Sequence, residues 1–483
     1  MQQRLMEHVP KYIPVLALTL FLAFLSAYSH SALLISVGIL LYILLVFLAL
    51  NEQVIKAVLP IFLLVILFQD TLAINLELVS PSLGSFANYL DEVFLIIALS
   101  ALAINFLSGK IIRGGTTFIC LAALTGLGFI SGLINEVPVS IALQGAFLVM
   151  KGLLYLFFFM NLTYTVYDLK RYVRWGKSLV GIVVVFAVVD LILGESYRQV
   201  LGITYMDDVQ RGAIHSLSSL FMHPGIYGWF MVFAGMYALS VFVIKKDKRI
   251  LLLASFLFFF AMLSFRFKVL MAILIILAVV YLLSGLKKSL TYLLPVAVVF
   301  FFVFLLTGEY IGDLTASTID SYVTADIEDS ARKALYLTAY EIGLTNFPFG
   351  EGFGRFGGFV SKENYSPVYY EYGINDTYGL SPDYPAFMTD TYWPNIAGEL
   401  GFIGVGIVLV LYIYLAAKLL LNYAILPSDN LKIFVLFSGL VMVQALVESI
   451  GEPIFNGAPQ NVFIFITVGI AFSILNSTRK ASE

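Results

Sequence analysis

The sequence predicts an all-α, polytopic membrane protein with about 14 transmembrane helices, and three observations predict it. Of 483 residues, 60% are hydrophobic and only 12% are charged, against roughly a quarter charged in soluble domains. The mean hydropathy of +0.94 is sustained along the chain. Apolar stretches of about 16 to 22 residues recur from one end to the other, close to the roughly 20 that a helix needs to cross hydrocarbon. The net charge of −3 excludes a basic nucleic-acid binder. A single cysteine, Cys120, lies in an apolar stretch, which excludes an intrachain disulfide and favours neither redox compartment.

The first apolar run, near 12–28, is full length and is followed at once by another, so it reads as a signal anchor rather than a cleaved signal peptide. Further spans are expected near 31–50, 54–69, 92–108, 116–134, 143–163, 178–194, 220–243, 250–265, 269–284, 290–307, 392–420, 431–449 and 461–476. Lys and Arg in short loops mark the cytoplasmic side. With both termini cytoplasmic, nineteen of the 28 basic residues fall in inner loops. Eight fall outside: Arg198, Arg211, Arg266, Lys268, Arg332, Lys333, Arg355 and Lys362. The stretch 250–284 is read as two short spans around "SFRFK", because one long helix would carry Arg266 and Lys268 to the bilayer centre. A charge there costs about 2.5 to 3.5 kcal/mol on insertion scales.

Three regions follow: helices 1–11 over 1–307, a long hydrophilic outer loop over 308–391, and helices 12–14 over 392–483. Within the loop, Asp326 to Phe359 reads as an amphipathic helix followed by a glycine-rich turn. Asp329 or Ser330 caps that helix, and Leu335, Ala339 and Ile342 line one stripe. Gly350, Gly352, Gly354, Gly357 and Gly358 let backbone approach a phosphate or form a plain turn; no strand precedes them and no P-loop lysine follows. Tyrosines crowd the loop and suit either sugar stacking or a headgroup belt. "YMDD" at Tyr205 to Asp208 matches polymerase metal motifs by coincidence. Lys151 in mid-span and Asp190 near an outer end mark a transport path or one inter-helix pair. Glu399, about two turns into its span, reads as a link to a neighbouring helix.

Four features then occur in order: an arginine-bearing outer loop before "FMHPGIYGWF" (Phe221 to Phe230), "SFRFK" (Ser264 to Lys268), the arginine and glycine-rich loop, and "DTYWPNIAGELGFIG" (Asp390 to Gly404). Over roughly 210–410 this pattern resembles the bacterial O-antigen polymerase and O-antigen ligase superfamily, the Wzy and WaaL type. The resemblance implies a GT-C-like inner-membrane glycosyltransferase with a periplasmic active site. It would join undecaprenyl-pyrophosphate-linked repeat units without metal or other cofactor, with a chain-length regulator as an optional partner. By that resemblance Arg266, Arg211 and Arg332 hold pyrophosphate, Lys268 and Arg355 add positive field, and Gly352 and Gly354 shape the substrate groove. Ligases of the family place a histidine just before the final glycine-containing stretch, where Met388 to Trp393 stand here. Asp390 is the substitute base, with His223 the alternative, and the departure favours a polymerase. A ligase and a lipid-linked oligosaccharide flippase or other transporter stay open. Against a transporter, the outer loop has no counterpart in the first half of the chain.

Overall fold

The computed structural model describes residues 30–110, 112–200, 210–211, 214–284 and 330–482. The expected spans near 12–28 and 290–307, and the "YMDD" stretch, lie outside the described residues. What is described is helical, apart from a two-residue antiparallel ladder that pairs Gln210–Arg211 (β1) with Ile214–His215 (β2). Among the described residues, eight helices are long and apolar enough to cross a membrane. Counting the bent pair α1 (His30–Ala49) and α2 (Glu52–Leu67) as one broken span raises that to nine. Each of the other twelve expected spans falls on a helix. The chain is a multi-pass helical membrane protein.

The chain forms two units. One comprises residues up to Leu59 together with Val93–Ile112. It carries α1 and most of α5 (Leu90–Leu107), joined by a hydrogen bond between Tyr42 and Ser100 at 2.6 Å. Their outward side chains, such as Phe47 and Phe106, are exposed and apolar, as hydrocarbon-facing helices require.

The other unit holds the rest. Two short helices, α3 (Gln69–Glu77) and α4 (Pro81–Ala87), pack on each other ahead of α5. Then come α6 (Gly115–Ile134), α7 (Val139–Phe159), α8 (Val166–Leu193) and the short α9 (Glu195–Val200). The helix α8 begins about three turns before the expected span at 178. Thr165 and Asp168 form a capping box there, with the Asp168 N–H donating to Thr165 Oγ1 and the Thr165 N–H donating to Asp168. Hydropathy misses this charged turn, whereas the T-x-x-D spacing records it.

After β2 come α10 (Pro224–Lys245), α11 (Lys248–Met262) and α12 (Phe267–Ser284). His223 caps α10 and Pro224 opens it, a proline that costs no intrahelical hydrogen bond in the first turn. The predicted interruption at "SFRFK" is present. The chain leaves helical geometry over 263–266, with Phe265 in the left-handed region at φ 50°, which β-carbon sterics disfavour. The Leu217 N–H donates to the Leu263 carbonyl at 2.8 Å and ties this break to the segment ahead of His223.

In the hydrophilic segment α13 (Ala331–Thr345) is the expected amphipathic helix. Ser330 caps it by accepting the Lys333 N–H, while Asp329 lies outside the described residues, and Leu335, Ala339 and Ile342 are buried. Two single-turn helices follow, α14 (Phe359–Glu363) and α15 (Val368–Glu371). With α13, α15 shares a core that includes Phe356, Tyr369, Leu380 and Met388. The last helices are α16 (Trp393–Asn422), α17 (Asp429–Glu448) and α18 (Gln460–Ser482).

The helices α10, α17 and α18 form the enclosed centre of this unit. Trp229, Phe233, Phe437 and Phe463 meet there edge to face, with centroids 4.8 to 5.8 Å apart for Phe233–Phe437, Phe233–Phe463 and Trp229–Phe463. Such pairs each contribute about 0.5–1.5 kcal/mol beyond area burial. A second aromatic group, Tyr392, Tyr412, Phe455 and Phe465, ties the start of α16 to the turn before α18.

Intramembrane charge is resolved by two separate pairings, not by one pair between Lys151 and Asp190. Lys151 on α7 bridges Asp91 and Glu92 at the start of α5, both at 2.7 Å, and Tyr155 donates to the Asp91 carbonyl. Asp190 near the end of α8 accepts from Arg198 at 3.1 Å and from the backbone N–H groups of Ser218 and Ser219. Lys151 finds its partners some 60 residues back along the chain, whereas Asp190 takes Arg198, the basic residue nearest to it in sequence.

Candidate active site

The candidate site forms where α10, α12, α13 and α16 begin and α17 ends. Arg266 occupies the break before α12, and Lys268 is the second residue of that helix. Lys268 lies against the first turn of α10, where a β-carbon on Gly225 would come within 2.9 Å of its Nζ and 2.8 Å of the His223 ring. Glycine is what lets the ammonium approach that helix N-terminus, itself a source of positive field. Lys268 forms an ion pair with Glu452 and senses the charges of Glu448, Arg266, Arg332 and Asp390. Arg332, in the first turn of α13, lies 3.4 Å from Asp390.

Two hydrogen bonds lock the entrances of α13 and α16 onto the end of α17. Tyr336 donates to the Ile450 carbonyl at 2.7 Å, and the Trp393 indole donates to Ser449 at 3.0 Å. Thus His223, Arg266, Lys268, Arg332 and Asp390, which the sequence singled out separately, stand in one cluster. Among the described residues three cations face three carboxylates there, Asp390 and two that hydropathy counting passed over, Glu448 and Glu452. Glu448 is completely buried and takes the Gln444 amide at 2.8 Å; Gln444 also donates to the Trp229 carbonyl. The signal that would have found the pair is a carboxylate repeat at i, i+4 spanning the end of a helix, which places both on one side.

His223 serves as the cap of α10. Its Nδ1 accepts the Gly225 N–H at 3.0 Å. In a neutral imidazole the proton then resides on Nε2, which makes that nitrogen a donor.

Arg211 stands on β1 opposite Ile214, with its side chain outside the described residues. Arg355 sits in the glycine-rich loop and acts electrostatically on Glu351.

The glycine-rich loop does not present its backbone to a ligand, contrary to the expectation for Gly352 and Gly354. Its N–H groups are spent on α16: Glu351 N donates to the Gly398 carbonyl at 2.7 Å and Gly352 N to the Glu399 carbonyl at 3.0 Å. The Glu399 carboxylate faces the loop, within electrostatic reach of the backbone N–H groups of Gly354, Arg355 and Phe356. It therefore links its helix to this loop rather than to another helix. On the other side the loop presses against α6 and α7. Ser131 and Asn135 both donate to the Gly350 carbonyl, the latter at 2.9 Å. A β-carbon on Gly352 would come within 2.6 Å of Gly132 backbone, and one on Gly354 within 2.8 Å of Ile141. Both residues have positive φ, 93° and 77°. Close helix approach requires these glycines.

Burial raises the Glu351 carboxyl above its ordinary value, opposed by the Asn346 amide that donates to it at 2.6 Å. The Tyr369 phenol, which accepts the Gly357 N–H, is pushed up to about 12, chiefly by burial. It is a packing post of the loop at neutral pH.

No family model matches the chain, and no curated protein matches it.

Proposed function

We propose that the protein is a polysaccharide polymerase that joins oligosaccharide repeat units carried on undecaprenyl pyrophosphate, in a site open to the periplasmic side of the bacterial inner membrane. The observation that carries this reading is the convergence of Arg266, Lys268 and Arg332 with Asp390, Glu448 and Glu452 at one end of a helical membrane bundle. The order of sequence motifs over roughly 210–410 supports it.

Transfer of a sugar from a diphosphate carrier releases an anion, so charge stabilisation matters more than protonation of the leaving group. Guanidinium groups suit phosphate oxygens through paired N–H donors. Arg266 and Arg332 take the diphosphate, Lys268 adds a point charge, and the Nε2–H of His223 adds a neutral donor. The acceptor hydroxyl gives its proton to a carboxylate of the same cluster; Asp390, Glu448 and Glu452 are its three candidates.

A second reading, a flippase for the same lipid-linked units, draws on the buried Lys151–Asp91–Glu92 group, since intramembrane charges line transport paths. Cells lacking the protein separate the readings by their lipid-linked intermediates. A polymerase defect leaves single repeat units on the outer leaflet. Single units trapped on the inner leaflet would overturn the polymerase reading in favour of the flippase, and full-length polymer left on the carrier would do so in favour of a ligase.

A further inference from the structure

We propose that Glu452 is the proton acceptor of the transfer, and that the donor's diphosphate activates it by displacing it from Lys268; this rests on the diphosphate reading of the cluster given above. Among the described residues, the cluster sets Arg266, Lys268 and Arg332 beside Asp390, Glu448 and Glu452. An anionic diphosphate that binds these cations competes with the carboxylates that hold them.

The three carboxylates differ in their freedom to respond. Glu448 is fixed: it is fully buried, and Gln444 holds one of its oxygens at 2.8 Å. Asp390 is 32% exposed and meets Arg332 through a contact at 3.4 Å, but its partner is a guanidinium, whose several N–H donors let it hold a carboxylate and a phosphate oxygen together without releasing either. Glu452 lies just past the end of α17, in the turn before Pro453, and its side chain is 23% exposed. Its partner is a lysine, a point charge on a flexible stem that changes partners readily. Glu452 is therefore the carboxylate that is both reachable and exchangeable. Glu448 remains behind as the counter-charge that keeps Lys268 in place.

The step balances as written. The acceptor oxygen bonds to the anomeric carbon, the bond from that carbon to the diphosphate oxygen breaks with its electron pair leaving on the diphosphate, and the hydroxyl proton passes to Glu452. Base activation then waits on donor binding, and without a donor Glu452 stays engaged with Lys268.

The test uses the full-length protein in detergent, with inorganic pyrophosphate as the binding probe and chain extension of a lipid-linked repeat unit as the rate. Glu452→Gln should bind pyrophosphate several-fold more tightly than the native protein, because a competing carboxylate is gone. It should extend chains at least about 100-fold more slowly, the usual contribution of a positioned base. Glu452→Asp should recover part of the rate, which a purely structural role would not predict. Pyrophosphate binding in Glu452→Gln that is unchanged or weaker would overturn the displacement, and extension at the native rate would overturn the base. Failure of the diphosphate reading itself is seen separately, as absence of pyrophosphate binding by the native protein.

Discussion

Arg332 and Asp390, 58 residues apart, meet at 3.4 Å where α13 begins and the chain turns into α16. Their side chains are 39% and 32% exposed, so as an isolated ion pair they contribute roughly 0.2–1 kcal/mol. The pairing thus matters more for where it holds the guanidinium than for stability. Arg332→Ala should slow chain extension by about 100-fold or more, the scale of losing one charge-stabilising donor. It should shift the unfolding free energy by less than about 1 kcal/mol. Arg332→Lys should recover only part of the rate, since an ammonium lacks the paired donors. Extension rates and thermal unfolding on the same preparations check this, and a rate loss that merely tracks unfolding would contradict it.

The glycine-rich loop is a structural buckle, so its variants should fail in folding before they fail in chemistry. Gly352→Ala places a β-carbon 2.6 Å from Gly132 backbone at φ 93°, and backbone strain of this kind costs on the order of 1–3 kcal/mol before the clash is counted. Asn135→Ala removes one of two donors to the Gly350 carbonyl and should cost about 1 kcal/mol. Thermal unfolding in detergent reads both. A Gly352→Ala protein of native stability with altered substrate binding would return the loop to the ligand.

Lys151 pairs with two carboxylates at once, the buried Asp91 and the part-buried Glu92. Lys151→Ala should cost about 3–5 kcal/mol, the penalty of leaving buried charge uncompensated, and should lower the amount of folded protein. The triple variant Lys151→Met, Asp91→Asn, Glu92→Gln should restore much of it, because no charge is left to neutralise. Folded yield by size-exclusion chromatography tests this. If the triple variant folds but chain extension stops, the group has a role beyond packing.

The Glu351 carboxyl, raised by burial, gives a pH signature. A group whose folded value lies above its unfolded one contributes stability in full below the ordinary value of 4.5. That contribution is lost as pH rises through the raised value, where the buried carboxyl must ionise. Glu351→Gln keeps the neutral form at every pH and its side-chain oxygen still accepts from Asn346. Its unfolding temperature should match the native protein near pH 4 and exceed it at neutral pH. An equal difference at both would assign the effect to something other than ionisation.

Much of the helical order was legible in the sequence, because a span announces itself in local composition. The interruption at "SFRFK" was legible too, since carrying Arg266 and Lys268 into hydrocarbon is costly. So was the cap at Ser330, a property of four consecutive residues. What composition hid was charged helix, as in the first turns of α8, where Lys170, Arg171 and Arg174 mask a helix that Thr165 and Asp168 had already started. Half of the site's charge was visible as outward cations breaking the loop-charge trend. Asp390 was visible from its motif, but Glu448 and Glu452 escaped because a carboxylate at a helix end is ordinary until a lysine from another helix is placed beside it. The glycines misled for a related reason: a loop that packs between helices and a loop that cradles phosphate need the same residue, and only the partners of its N–H groups distinguish them.

The central claim is that Arg266 and its neighbours handle a diphosphate-linked glycan donor. Its most direct test is chain extension by the purified protein in proteoliposomes supplied with an undecaprenyl-pyrophosphate-linked repeat unit, with products resolved by length. The native protein should yield a ladder of multimers on the carrier, and Arg266→Ala, reconstituted to the same density, should leave the single unit unextended. A full ladder from Arg266→Ala, or no extension by the native protein, would contradict the account.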